Sequence, residues 1–193
     1  MKEFREKRID WEENDLNDPI KEVLLTEEEI DKRVSELAKE ISEEYRGKDL
    51  LVVGILKGAV IFLSDLVKRL EFPVMLDFMA VSSYGKSSVS TGEVRILKDL
   101  DYSVEGKDIL IVEDIIDTGL TLNYLKDILG KRGAKGVKIC TLLDKPDRRT
   151  VGVNIDFLGF EIPDEFVVGY GLDYNEQYRN YPFVGALKEE VYE

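Results

Sequence analysis

Short apolar runs alternate with segments of helical periodicity along most of this chain. Leu50 to Ile55, Val74 to Ala80, Ile109 to Val112 and Val137 to Leu143 read as strands buried on both faces of a parallel sheet. Ile30, Val34, Leu37 and Ile41 recur at helical spacing behind Thr26-Glu-Glu-Glu29, a capping box. They predict a helix to about Tyr45, with Gly47 as its stop. Further helices are predicted from Leu56-Lys57-Gly58-Ala59 to about Leu70, and from Thr121 to about Lys131. Val81 to Glu93 is rich in Ser, Gly and Thr and reads as a long binding loop. Val94 to Leu100 is the strand returning from it, which predicts an antiparallel excursion that carries the loop. Val153 to Phe157 and Phe166 to Val168 are further short strands. Strands alternating with helices predict an α/β fold, a central parallel sheet with right-handed crossovers flanked by helices. No repeat or linker divides the chain, so one domain over residues 1–193 is expected.

Composition narrows the function. A chain of 193 residues, 44% hydrophobic, can bury one sizeable core. A net charge of −13 argues against nucleic-acid binding. No apolar stretch approaches a membrane span, and the charged N-terminus lacks the apolar centre of a signal peptide. The lone Cys140, in an apolar run, has no partner for an internal disulfide and reads as a buried hydrophobe of a cytoplasmic protein. Histidine is absent, so any general acid or base is a carboxylate, Lys, Tyr or the cysteine. Residues 1 to about 20 form a charged arm, read equally as an oligomer contact or as disorder.

The densest chemistry follows Ile109 to Val112, where Glu113 and Asp114 abut the strand and Asp117-Thr118-Gly119-Leu120-Thr121 leads into a helix. Ligands of open α/β sheets bind outside the carboxyl ends of the strands. The three acids are therefore expected on a loop at the site, and the Thr-Gly-x-Thr suits a phosphate at a helix N-terminus. Carboxylates beside a phosphate cradle repel the ligand unless a metal or sugar hydroxyls intervene, so the ligand should combine phosphate, hydroxyls and Mg²⁺.

This run resembles the phosphoribosyl-pyrophosphate (PRPP) motif of type I phosphoribosyltransferases, in the form of the hypoxanthine-guanine branch. The resemblance implies that Glu113 and Asp114 grip the ribose hydroxyls and, with Asp173, bind Mg²⁺, two ions in the closed complex. Thr118, Gly119 and Thr121 would hold the 5′-phosphate, and Asp117 would be the catalytic base. Lys57 and Gly58 match the family's pyrophosphate loop, in which the Leu56–Lys57 peptide is cis. Ser83 and Tyr84 match a mobile lid. Lys145 would donate to the exocyclic oxygen of a 6-oxopurine, Phe166 would stack on the ring, and Ile115 and the Val167 backbone would complete the purine site. Arg179, and less directly Arg149, would meet the pyrophosphate.

The implied reaction is purine salvage: hypoxanthine or guanine plus PRPP gives IMP or GMP plus pyrophosphate. The implied architecture is a core over about residues 26–170, with a small hood from the N-terminal arm and about 150–193. A homodimer or homotetramer is implied, with no nucleic-acid or membrane partner. The enzymatic alternative is a phosphoribosyltransferase for xanthine, adenine or a pyrimidine. The non-enzymatic alternative is a PRPP-sensing regulator on the same fold, which the acidic charge disfavours.

Overall fold

The computed structural model describes residues 19–83 and 94–192. The chain runs β1 (Ile20–Leu25), α1 (Glu27–Tyr45), β2 (Leu50–Leu56), α2 (Val60–Val67), β3 (Met75–Ser83), β4 (Val94–Lys98), β5 (Asp108–Ile116), α3 (Leu120–Lys131) and β6 (Gly136–Asp144). It continues through β7 (Phe157–Glu161), β8 (Val167–Val168), β9 (Val184–Leu187) and α4 (Glu189–Tyr192).

Alternation along the strands sorts the core into two layers. Val52, Leu110 and Val112 face one side and pack on Ile30, Val34, Leu37 and Ile41 of α1 and on Phe62 and Leu66 of α2. Leu51, Val53, Ile109 and Ile111 face the other and pack on Leu122, Leu125 and Leu129 of α3. Both faces of the sheet are thus covered, as the near-continuous apolar strands require. Cys140 is a buried free thiol in the first layer, as expected from its apolar surroundings.

The six-stranded sheet has the order β4-β3-β2-β5-β6-β7. All neighbours are parallel except β3 and β4, which form the expected antiparallel excursion. The chain leaves β2 toward β3 and leaves β5 toward β6, in opposite directions, so the sheet's topological switch point lies between β2 and β5. A cleft opens beyond the strand ends at such a point. A second sheet, β1-β9-β8, joins the N-terminal strand to the C-terminal ones.

Three expectations change. Asp108–Ile116 is longer than the predicted run, so Glu113 and Asp114 belong to the strand itself and only Asp117 lies beyond it. The strand extends because Glu113, Ile115 and Ile116 still pair with Thr141, Leu143 and Asp144 of β6. The strand placed at Val153 to Phe157 begins only at Phe157, and it belongs to the large sheet, beside β6. The Asp156 carboxylate accepts from Ile139 N at 3.0 Å and ties down the turn into it, while Val153 and Ile155 pack against the α3 layer instead. The helix α2 ends at Val67, short of Leu70.

The Thr26 box is formed in full. Thr26 Oγ1 accepts from Glu29 N at 3.2 Å, and Glu29 Oε2 accepts from Thr26 N at 2.9 Å. Loss of such a cap costs about 1 kcal/mol. Thr26→Ala should therefore lower the melting temperature by about 2–4 °C, measured by thermal denaturation.

Candidate active site

The carboxyl ends of β2, β5 and β6 deliver three loops side by side. A cavity of about 480 Å³ lies at the ends of β2 and β5, walled by Lys57 and Gly58 after β2, by Glu113 to Leu122 at the end of β5, and by Asp173 and Arg179 from the C-terminal segment.

The floor is acidic. Glu113 Oε2 is buried with no hydrogen-bond partner among the described residues. Burial and the adjacent Asp114 carboxylate push Glu113 well above the usual carboxylate range, and burial raises Asp114 as well. Asp114 is fixed by Ile115 N, which donates to its Oδ1 at 2.8 Å. Its other oxygen lies against the backbone at residue 58, where any side-chain carbon would collide with the carboxylate, so the β2 loop needs Gly58. The Leu56–Lys57 peptide before it is cis, as the resemblance implied.

Beyond β5 the chain turns through Asp117 and Thr118 into Gly119, the left-handed N-cap of α3 at φ 82°. A side chain there would be strained, and its Cβ would sit 2.8 Å from Val151 O. Thr118 O accepts from Thr150 N and Val151 N, both at 3.1 Å, which clamps the turn from behind. Thr118, Gly119 and Thr121 face the cavity around the first turn of α3. N–H groups and the positive end of the helix dipole meet there, which suits an anion.

Asp117 Oδ1 is buried and makes no hydrogen bond. Lys145 Nζ stands 3.9 Å from it, on a side chain only 8% exposed, and donates to Glu165 O at 2.7 Å. Phe166 follows Glu165 and stays 39% exposed, although its ring stacks on Tyr192 at 5.1 Å and meets the Tyr174 ring edge-on at 5.5 Å. Val167 is buried in β8, the edge strand of the small sheet, so the outer side of its backbone has no neighbouring strand. Ile115 lines the cavity on β5.

Comparison with known proteins agrees with this geometry. A family model described as phosphoribosyl transferase domain matches residues 22–175. A hypoxanthine-guanine phosphoribosyltransferase of Bacillus subtilis is 58% identical over 174 residues, which are 90% of this chain and 97% of that protein. One from Staphylococcus aureus is 52% identical over 92% of this chain and 99% of its own length. A crystal structure of a hypoxanthine phosphoribosyltransferase from the same organism superposes with a TM-score of 0.89, at 51% identity over 93% of this chain and all of that one. The chain belongs to the phosphoribosyl transferase family.

The family's two signatures, far apart in sequence, meet at one cavity. Ser83 ends β3 opposite Val94. Tyr84 lies outside the described residues. Arg149, like Lys145, Phe166 and Val167, is not among the residues that line the cavity. Its Nε donates to Asp117 O at 3.0 Å, and its Nη2 pairs with the Asp144 carboxylate. The guanidinium thus ties the turn at Asp117 to the end of β6. Sequence reasoning passed over Asp144, Glu176 and Tyr192. The Asp144-x-x-x-x-Arg149 pairing is the kind of local opposite-charge spacing that signals a brace, whereas no local pattern marks Tyr192 as the neighbour of Phe166.

The acids were tested as a Mg²⁺ site on their own chemistry. Among the described residues no group of three or more His, Cys, Asp and Glu side chains could hold a metal ion. An all-protein cage is therefore missing, but Mg²⁺ keeps several waters and commonly uses one or two carboxylates plus substrate oxygens. Two adjacent enclosed carboxylates, one with an unbonded oxygen, fit that arrangement. Asp173 Oδ1 is paired with Arg179 at 2.8 Å and its Oδ2 accepts from Glu176 N at 2.8 Å. Each carboxylate oxygen retains a second lone pair for an ion. No helix among the described residues is long and apolar enough to cross a membrane.

Proposed function

We propose that this chain transfers the 5-phosphoribosyl group of PRPP to hypoxanthine or guanine, giving IMP or GMP and pyrophosphate, in purine salvage. One observation carries the reading: the Lys145 ammonium and the unbonded Asp117 Oδ1 stand 3.9 Å apart. A 6-oxopurine presents its O6 acceptor and its N7 proton side by side on one edge, and this donor–acceptor pair complements both. Adenine would set an amino group against the ammonium, and a pyrimidine has no N7.

The other residues follow from their positions. Phe166 supplies an aromatic face to the base, with Ile115 and the Val167 backbone at its edge. Thr118, Gly119 and Thr121 hold the 5′-phosphate at the start of α3. Lys57, Gly58 and Arg179 receive the pyrophosphate. Glu113 and Asp114 hold the ribose hydroxyls. Asp117 takes the N7 proton as the base attacks C1′, and the acids of the floor stabilise the positive charge that develops on the sugar. Ser83 and Tyr84 close over the reacting centre and exclude water.

Glu113 and Asp114 would hold one Mg²⁺, and Asp173 a second. Bound there, Mg²⁺ neutralises charge on the leaving pyrophosphate. We further propose a homodimer or homotetramer in the cytoplasm; the single buried thiol supports the compartment, since it leaves the fold independent of disulfides.

The test is nucleotide formation from PRPP with each purine offered in turn. Hypoxanthine and guanine should turn over, adenine should not, and chelation of Mg²⁺ should abolish the reaction. Failure to convert any 6-oxopurine rejects the assignment.

A further inference from the structure

Glu176 fills the space between the two cations assigned to pyrophosphate. A single oxygen, Oε2, accepts from Lys57 Nζ at 3.0 Å and from Arg179 Nη2 at 3.3 Å. It stands between them as a phosphate oxygen would, sharing Arg179 Nη2 with Asp173 Oδ1, which lies 2.8 Å from it. Arg179 is itself held in place, since its Nη1 donates to Gly171 O at 2.7 Å.

The backbone that presents Glu176 is unusual. Tyr174 N donates to Gln177 O at 3.3 Å and Gln177 N donates back to Tyr174 O at 3.0 Å. The two residues between them, Asn175 at φ 49° and Glu176 at φ 63°, are both left-handed. This is a two-residue hairpin of the type I′ class, whose second position favours glycine. Asparagine tolerates such a conformation, but glutamate does not favour it. Asp173 Oδ2 pins the turn by accepting from Glu176 N. Strained backbone of this kind persists where it serves a site. An exposed Lys–Glu pair adds little to stability, so the strain is not explained by folding.

We propose that Glu176 is a built-in competitor of pyrophosphate: its carboxylate holds Lys57 and Arg179 in the free enzyme, yields them when PRPP enters, and reclaims them as pyrophosphate leaves. The inference rests on the pyrophosphate role given to Lys57 and Arg179 above. Occupation of the cations lowers the fraction of enzyme open to the ligand, and apparent affinity falls by that fraction. The effect is confined to the pyrophosphate end and leaves the purine end alone. Glu176 is thereby an affinity-determining residue and not a catalytic one.

Calorimetric titration with inorganic pyrophosphate in the presence of Mg²⁺ tests this on the wild type, Glu176→Gln, Lys57→Ala and the double variant. Glu176→Gln should bind pyrophosphate about fivefold more tightly, the scale that two exposed ion pairs supply. It should lower KM for PRPP to a similar extent, leave KM for hypoxanthine unchanged, and lose most of its gain in the Lys57→Ala background. If Lys57→Ala weakens pyrophosphate binding while Glu176→Gln leaves it unchanged or weaker, the competitor role is overturned. If Lys57→Ala itself leaves pyrophosphate binding at the wild-type value, the subsite assignment fails and takes this proposal with it.

Discussion

Asp117→Asn should lower kcat with hypoxanthine by about 10²–10⁴-fold, the usual contribution of a positioned general base. The substitution keeps the side chain's size and removes only its ability to accept a proton. Asp117 Oδ1 shares with Glu113 Oε2 the state of a buried oxygen without a hydrogen-bond partner among the described residues, which costs stability unless a ligand completes it, and it also faces the Lys145 ammonium at 3.9 Å. Its backbone is independently fixed by Arg149 at 3.0 Å, so the loop should keep its shape in the variant. Steady-state kinetics at saturating PRPP, with a thermal melt as control, checks the prediction. An unchanged kcat rejects Asp117 as the base. A lower kcat accompanied by a collapsed melting temperature would instead report a structural role.

Lys145→Met should lower kcat/KM for hypoxanthine and guanine by about 10- to 150-fold, the equivalent of a lost hydrogen bond from a charged donor. Methionine preserves the length and the apolar stem of a side chain that is only 8% exposed. What disappears is the ammonium that donates to Glu165 O and stands near both Asp117 and Asp164. KM for PRPP should stay at its wild-type value, because Lys145 is not among the residues that line the cavity with Thr118, Gly119 and Thr121. Discrimination against adenine should narrow, since no cation remains to oppose its amino group. Kinetics with the three purines decide the matter: full retention of hypoxanthine kcat/KM would remove Lys145 from base recognition.

The strands and helices that were legible in the chain are those set by local pattern. Thr26 with Glu29, the run before Glu113, and Gly47 each carry their own signal within a few residues. What the sequence left open is decided by partners far along the chain. Ile115 and Ile116 remain strand because β6 pairs with them, and Val153 to Asp156 do not become strand because Asp156 caps the turn at Ile139. The site shows the same division. Asp117 and Thr118 announce themselves in one motif. The brace that Arg149 forms with Asp144, the Tyr192 ring behind Phe166, and the turn that aims Glu176 at Lys57 arise only once the fold has closed.

The small sheet carries a consequence for synthesis. Its central strand, β9, is the one both β1 and β8 pair with, and it follows every strand of the large sheet along the chain. Chains emerge from the ribosome N-terminus first and fold in units as they do. The large sheet, with Glu113, Asp117 and the start of α3, has all its strands once Glu161 is out. The strand beside Phe166 gains its partner only when Val184 to Leu187 follow. A nascent chain thus has the strand ends that carry Glu113, Asp117 and Lys145 before it has the small sheet that holds Val167, and a chain cut short before Val184 would have the first without the second.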